Sequence, residues 1–467
     1  YDIGSATNIY IDSAGTYTAE MKSATKFALD STVVSGDITP NISLSETSIA
    51  KQFIYDENGY TDAYFSEASE TQCIRLSSDG LAMALGDGNY NSNNGRLYYY
   101  ERSSISGTFT KTHTFDAVSS GLEFGASVDM NAAKTRIAIS GSDADTNAAN
   151  AGRVYIYDRV NTSASWPSSP TATITPPAST IKRFGHTVNM SDDGLTMITS
   201  GDGIDSTANR SGVYVYEYAS GSWSKTFQVT QGISRFGFKV AMNKTGTRFI
   251  AGGTGTTYYV YHKESGTWNS TAALTGATGN HCGMSPDGNT VAVGIVGYSS
   301  NLGRVAVYKY SGGSWGSVVN IDTTVGSGIY QIGNTPVFNN DGTLLVTGCA
   351  AYNSYMGCFE MWKYESGSWV FKKQFLNPTV KTGHGTDTGE FFGGYLSMDY
   401  AGTSVIVSNP GNDVAGADYG RVVLYGAGSP PSLTFDGYNK YTFTGADTDS
   451  TYKLKYESNT YDLGTIS

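Results

Sequence analysis

One tight turn recurs seven times through the middle of the chain, and few folds can absorb such a repeat. Six copies end in Gly: Ser77-Ser78-Asp79-Gly80, Ser191-Asp192-Asp193-Gly194, Asn243-Lys244-Thr245-Gly246, Ser285-Pro286-Asp287-Gly288, Asn339-Asn340-Asp341-Gly342 and Asp399-Tyr400-Ala401-Gly402. The seventh, Asn131-Ala132-Ala133-Lys134, has lost its Gly. Asp or Asn near a Gly supplies the positive-φ conformations of a tight strand-to-strand turn. Asp193, Asp287 and Asp341 therefore recur for structural reasons.

Each turn leads into a short apolar strand such as TRIAIS, LTMITS, TRFIAG, NTVAVG, TLLVTG or TSVIVS. A Tyr-rich third strand follows, as in LYYYE, RVYIYD, GVYVYEY and RVAVYKY. A fourth begins with Ser/Gly and an aromatic residue, as at Ser220–Trp223, Ser265–Trp268, Gly313–Trp315, Ser366–Trp369 and Ser106–Phe109. Four strands per unit at a period of roughly 40–60 residues is the pattern of a β-propeller, whose blades stack because one sheet cannot cover both its faces.

The seventh unit breaks after Arg421–Tyr425, at Gly426-Ala427-Gly428-Ser429-Pro430-Pro431, with no fourth strand of its own. Lys51-Gln52-Phe53-Ile54 matches Lys373-Gln374-Phe375-Leu376, which stands in fourth-strand position in blade six. Residues 51–55 are therefore expected to complete the seventh blade and remove its open edge. The fold class expected is all-β: a seven-bladed propeller over residues 46–427, closed by an N-terminal strand. A small β-sandwich-like module would be made from segments 1–45 and 428–467.

The two ends echo each other. Tyr1-Asp2-Ile3-Gly4-Ser5 nearly repeats as Tyr461-Asp462-Leu463-Gly464-Thr465. Three arrangements follow: a tandem array with a propeller inserted in each period, pairing of both ends within one chain, or strand exchange between neighbouring copies.

Composition bounds the function. Only 15% of residues are charged, and the net charge is −11. Nucleic acid and anionic membranes both attract basic patches, so neither is an expected partner. No run approaches the ~18 apolar residues of a membrane-spanning helix. HExxH, GxSxG, P-loop and CxxC motifs are absent, and the five histidines fall at different repeat positions. No catalytic residue is assigned. Ionisable groups clustered on the axis would favour a channel hydrolase instead.

Asp143, Asp145 and Asn147 are spaced like oxygen ligands, so calcium is the one cofactor considered, against a solvated turn. The polar loops between second and third strands are the expected ligand rim, with Asn89, Tyr90, Asp202, Asp205 and Tyr298 as candidates. Trp223, Trp268, Trp315 and Trp369 share one repeat position, which fits packing between blades better than a sugar-stacking array. Cys349 and Cys358 flank one loop and could bridge on adjacent strands; buried free thiols are the alternative.

Phe-Gly opens several repeats, at Phe124-Gly125, Phe184-Gly185, Phe236-Gly237 and Phe392-Gly393. Followed by Gly-x-Val-Tyr-Val-Tyr, it resembles the FG-GAP repeats of integrin α-subunit propellers. The calcium loop of those repeats has no counterpart in the short turns here. Gly15-Thr16-Tyr17-Thr18-Ala19-Glu20 resembles the tyrosine-corner region of immunoglobulin-like domains. The texture as a whole resembles long repetitive surface proteins of marine viruses. These resemblances imply an extracellular or virion-surface location. The expected role is a non-enzymatic structural or display module of a fibre or array. The alternative is an adhesin whose rim loops bind a host-surface glycan or protein. Partners would be neighbouring copies, adjacent modules or that host surface.

Overall fold

The computed structural model describes most of the chain. Outside the described residues lie 1–6, 13–14, 24–25, 30–42, 45–48, 56–72, 89, 106, 120–121, 143–150, 202–211, 234, 254–255, 323–329, 378–390, 410–420, 428–431, 436–439, 445–450, 457–458 and 466–467. The protein is all-β, 56% strand and 4% helix, arranged as a seven-bladed propeller. Two compact units are present: residues 53–424, and residues 1–52 with 425–467. No helix of the described residues is long and apolar enough to cross a membrane.

Each blade is an antiparallel sheet with strands in chain order from the axis outward, except that the outermost strand of blade seven comes from the N-terminal side. Blade one holds Ile74–Leu76, Ala82–Asp87, Arg96–Glu101 and Thr110–Asp116. The first strands of blades two to seven are Phe124–Met130, Val188–Met190, Lys239–Met242, His281–Met284, Asn334–Phe338 and Leu396–Met398. Successive first strands touch around a closed circuit, the seventh against the first. In blade five the outer strand is broken into Ser314–Trp315 and Val319–Ile321, both paired with Val305–Ser311. The seventh sheet ends with Ile49–Tyr55 beside Arg421–Ala427, the closure expected from the Lys-Gln-Phe match.

The Gly-ending turns follow from one conformation. Gly80, Gly194, Gly246, Gly288, Gly342 and Gly402 all have φ between 64° and 77°, and Lys134 stands in for them at 56°. Such a φ is cheap only for Gly. The first residue of each turn is Ser, Asn or Asp because its side-chain oxygen accepts a backbone N–H five residues on. Ser77 Oγ takes Ala82 N–H at 2.8 Å, Asn131 Oδ1 takes Arg136 N–H at 2.9 Å, and Asp399 Oδ1 takes Ser404 N–H at 3.1 Å.

Alternation along the strands explains how both faces of a blade are apolar. In blade one, Ala82, Ala84, Leu97 and Tyr99 pack against Val128, Met130, Ile137 and Ile139 of blade two. The intervening Met83, Leu85, Tyr98 and Tyr100 pack against Ile406, Val422 and Leu424 of blade seven. A strand covered on both faces reads as a continuous apolar run, hence LYYY. Each fully buried side chain of this size contributes roughly 1.5–3 kcal/mol.

The Trp positions are packing positions. Trp223, Trp315 and Trp369 each lean on a Tyr of their own blade, with ring centroids 5.3–5.5 Å apart. Cations of the preceding blade cover three of these Tyr rings: Arg136 over Tyr218 at 4.1 Å, Arg248 over Tyr310 at 4.1 Å and Lys309 over Tyr364 at 3.4 Å. Trp268 is 8% exposed and lies within a core cluster.

The second unit is built from both ends of the chain. Thr7–Asp12, Gly15–Ser23 and Lys26–Leu29 form a sheet continued by Lys440–Thr444 and Ser432–Phe435, with Lys26 opposite Thr442. A three-stranded sheet orders Asn459–Thr465, Thr451–Tyr456 and Ser43–Leu44.

Candidate functional site

Antiparallel order puts first-to-second turns and third-to-fourth hairpins at one end of each blade. The second-to-third loops and the lead-in segments of the first strands lie at the other. The two faces of the ring are therefore chemically different.

The turn face is closed by hydrogen bonds that run around the axis. The N–H groups of Ala132, Asp192 and Lys244 donate to the carbonyls of Asp192, Lys244 and Pro286. Pro286 has no N–H, and Asp287 donates in its place to Asn340. Asn340 donates to Tyr400, and Tyr400 to Ser78 of blade one. Side chains of the same turn position then reach beyond adjacent blades. Tyr400 Oη of blade seven donates to Asp192 Oδ1 of blade three at 2.7 Å, and Lys244 Nζ of blade four to Asn340 Oδ1 of blade six at 2.9 Å.

Ionisable groups gather on the first strands. Arg75 of blade one pairs with Asp129 of blade two at 2.7 Å, and Asp129 also accepts the Met190 N–H of blade three at 2.9 Å. Asp129 is 2% exposed, and desolvation pushes its carboxyl upward against the pull of Arg75 and the backbone donors. Lys239 of blade four lies 5.7 Å from the Tyr395 ring of blade seven. Burial, with the Lys239 charge next, pushes His281 down to about 3. His186, 4% exposed and stacked on Phe238 at 5.3 Å, is lowered by burial and by Lys239, Arg183 and Arg235. Both imidazoles are thereby held neutral.

On the loop face the Phe-Gly pairs are clasps between blades. Phe124, Phe184, Phe236 and Phe392 are completely buried. The Gly closing the preceding blade's second-to-third loop forms a parallel bridge to this Phe: Gly95 to Phe124, Gly152 to Phe184 and Gly357 to Phe392. A Cβ on Gly95 would lie 2.2 Å from Phe124 N and O, so the backbones touch directly.

Three of those loops share a turn that the sequence reading did not single out as a repeat. Tyr90–Asn93, Tyr298–Asn301 and Tyr352–Tyr355 each make one helical turn followed by Gly95, Gly303 or Gly357. The turns contain left-handed residues: Asn91 and Asn93, Ser299 to Asn301, and Asn353 to Tyr355, with φ from 49° to 69°. Non-Gly residues in this region cost of order 1–3 kcal/mol each, and such strain is concentrated at functional sites. The N–H of the final Gly closes each turn onto the Tyr carbonyl at 3.0 Å.

In blade one the Arg96 guanidinium lies 3.9 Å from the Tyr90 ring centroid and pairs with Asp116 at 2.5 Å. Blade five repeats this: Arg304 lies 3.8 Å from the Tyr298 ring and holds both oxygens of Asp322, at 2.6 and 2.7 Å. A cavity of about 290 Å³ opens in blade one, lined by Tyr90, Asn91, Asn94, Arg96 and Asp116, with Gly95, Ala117 and Ser119.

Of the rim candidates, the structure brings Tyr90 and Tyr298 to equivalent positions. Asn89, Asp202 and Asp205 lie outside the described residues, as do Asp143, Asp145 and Asn147. Among the described residues no three His, Cys, Asp or Glu side chains converge as metal ligands. Cys349 and Cys358 are buried free thiols on facing strands, exchanging N–H to O=C bonds of 2.8 and 3.3 Å. Sequence reasoning missed Arg96, Asp116, Arg304 and Asp322. The signal was there: Tyr90 and Tyr298 each precede a Gly-Arg by the same interval. No protein-family model matches the chain, and comparison with curated proteins finds no significant similarity.

Proposed function

We propose that this chain is a non-enzymatic display module of an extracellular or particle surface, presenting the loop face of its propeller to a host-surface glycan or protein. One observation carries the reading. The same aromatic, guanidinium and carboxylate cluster is built in blades one and five, on the same face and on strained turns. A rigid ring with backbone-to-backbone clasps is suited to hold such loops in place. The turn face, crossed by Tyr400–Asp192 and Lys244–Asn340, also sets a guanidinium on an aromatic ring beside a carboxylate, but there Arg136 and Asp158 belong to blade two and Tyr218 to blade three, so that set joins blades. The low charged fraction and negative balance support a surface exposed to salt.

The ionisable groups on the axis are what a channel hydrolase would need. Arg75, Asp129, Asp192 and Tyr400 are instead committed to contacts between blades, which supports a structural role. Assembly into arrays rests on the echo between Tyr1–Ser5 and Tyr461–Thr465. Light scattering across a concentration series tests it, and a constant monomer mass refutes it.

The recognition reading is tested with the immobilised chain against a glycan array and a surface-protein extract, compared with a Tyr90→Ala/Tyr298→Ala variant. Capture that depends on the two Tyr residues supports it. Capture unaffected by their loss, or no capture, refutes it.

A further inference from the structure

Resting on that reading, we infer that the blade-one cavity beside Tyr90, Arg96 and Asp116 binds a neutral saccharide, and that Tyr298, Arg304 and Asp322 form its second copy in blade five.

The ligand class follows from charge and geometry. Arg96 and Asp116 match each other's charge through contacts of 2.5 and 2.6 Å. An anion would have to compete with Asp116 for the guanidinium, and a cation with Arg96 for the carboxylate. A sugar hydroxyl does neither, because it donates and accepts at once. The guanidinium has five donors and the carboxylate about four acceptor sites, so their mutual pairing leaves capacity on both. Asn91, Asn94 and Ser119 add further neutral donors and acceptors to the lining. Tyr90 supplies a flat apolar ring against which the C–H face of a pyranose can lie. The guanidinium stacked at 3.9 Å holds that ring in place. At about 290 Å³ the cavity sits at the small end of ligand pockets, suited to one or two sugar rings.

Fold stability does not explain the cluster. The pair is solvent-facing, with Asp116 63% exposed, and such pairs contribute only about 0–1 kcal/mol. Blade six provides the internal control. It keeps the left-handed turn, with Tyr352 and a closing Gly357, but where Arg96 faces Asp116 it sets Cys358 opposite Leu376. The turn therefore forms without the ion pair. What blades one and five add to it is ligand chemistry. The left-handed residues and the Gly95 bond to Tyr90 fix the site before any ligand arrives, which lowers the ordering cost of binding.

The test is isothermal titration and saturation-transfer NMR on the intact chain, with a panel of neutral mono- and disaccharides beside sialylated and sulfated ones. The expected result is two sites for a neutral sugar. Tyr90→Ala and Tyr298→Ala should each weaken one site about tenfold or more, near 1.4 kcal/mol. Arg96→Met should do the same in blade one, and Tyr90→Phe should retain binding. Thermal unfolding of each variant shows that the ring persists. The assignment is overturned by three results: no binding across the panel, binding of charged sugars alone, or neutral-sugar binding unchanged in the double Ala variant. A protein captured by the loop face and lost in the double variant, with no sugar bound, would overturn the saccharide while leaving the recognition reading intact.

Discussion

Replacing Gly348 with Ala measures how closely the blades approach. Gly348 ends the second strand of blade six, and its backbone is not left-handed. An added Cβ would sit 1.7 Å from the carbonyl oxygen of Gly393 in blade seven. That oxygen must retreat by more than an ångström, and Gly393 cannot yield freely. Its N–H is bonded to Ser408 O at 3.0 Å, and its own φ is 88°. Moving it pulls on Phe392, which is completely buried and bridged to Gly357. Overpacking of this kind costs typically 1–3 kcal/mol, and with backbone as the obstacle the upper end applies, about 3 kcal/mol. For a cooperative unit of this size the unfolding entropy near 2.1 cal/mol/K per residue converts that to a Tm loss of about 4 °C. Gly367→Ala is the control. Gly367 has φ of 87°, yet a Cβ there meets nothing within 4 Å. Only the left-handed strain remains, about 1 kcal/mol, or near 1 °C. Differential scanning calorimetry decides. Equal shifts in the two variants would mean that the clasp between blades six and seven is not tight, and the account of the Phe-Gly motif would fail.

Tyr400→Phe removes a hydrogen bond to a half-buried carboxylate. It should cost about 1.5 kcal/mol in urea unfolding; an unchanged midpoint would deny the link across the axis. His281 and His186 are neutral in the fold and near 6.5 when unfolded, so below that pH the unfolded state binds more protons and gains relative stability. Thermal stability should therefore be full above pH 6.5 and fall between pH 6.5 and 5, before carboxylates titrate, and His281→Asn should flatten that slope. Burial pushes the Cys73 thiol up to about 11 and raises Cys282 and Cys349 as well. Thiol labelling at neutral pH should accordingly be slow in the native protein and reach four equivalents in denaturant; two equivalents would reveal a Cys349–Cys358 bridge.

The parts of this fold legible in the sequence are those set by local conformation or by repetition. The turn glycines announce themselves because positive φ is a local demand, and Lys134 could be placed among them by its spacing alone. The closing strand was readable because Lys51–Ile54 copies Lys373–Leu376. Second strands such as Ala82–Asp87, Thr290–Gly294 and Leu344–Gly348 visibly carry a Gly near their end, but the reason appears only in three dimensions. Gly86, Gly294 and Gly348 each lie where a Cβ would meet the carbonyl of Gly125, Gly333 or Gly393 in the next blade, at 1.7–1.9 Å. Tyr400 and Asp192 are 208 residues apart, and no local pattern joins them. Arg96 and Asp116 escaped notice because their partnership spans two strands, and the interval differs between blades, 20 residues in one and 18 in the other. The hairpin between third and fourth strands accounts for that difference: Glu101 faces Thr110 nine residues on in blade one, and the Lys309 carbonyl accepts the N–H of Gly316 seven residues on in blade five.

The ring also explains why its axis reads as chemistry without a legible motif. A first strand presents an open edge, and its unpaired backbone groups need partners. Here side chains of the preceding blade supply them. Cys73 Sγ accepts the Val128 N–H and Ser127 Oγ the Val188 N–H. Asp129 accepts from Met190, and Ser397 Oγ from Leu76. Thr335 Oγ1 donates to the Gly394 carbonyl. Thiol, hydroxyl and carboxylate all serve, so residue types vary from blade to blade while the function is one. Groups that would look nucleophilic or acidic in isolation are spent on joining blades. The cluster repeated at the loop face joins nothing that blade six cannot hold without it, and that is the physical ground for proposing recognition there.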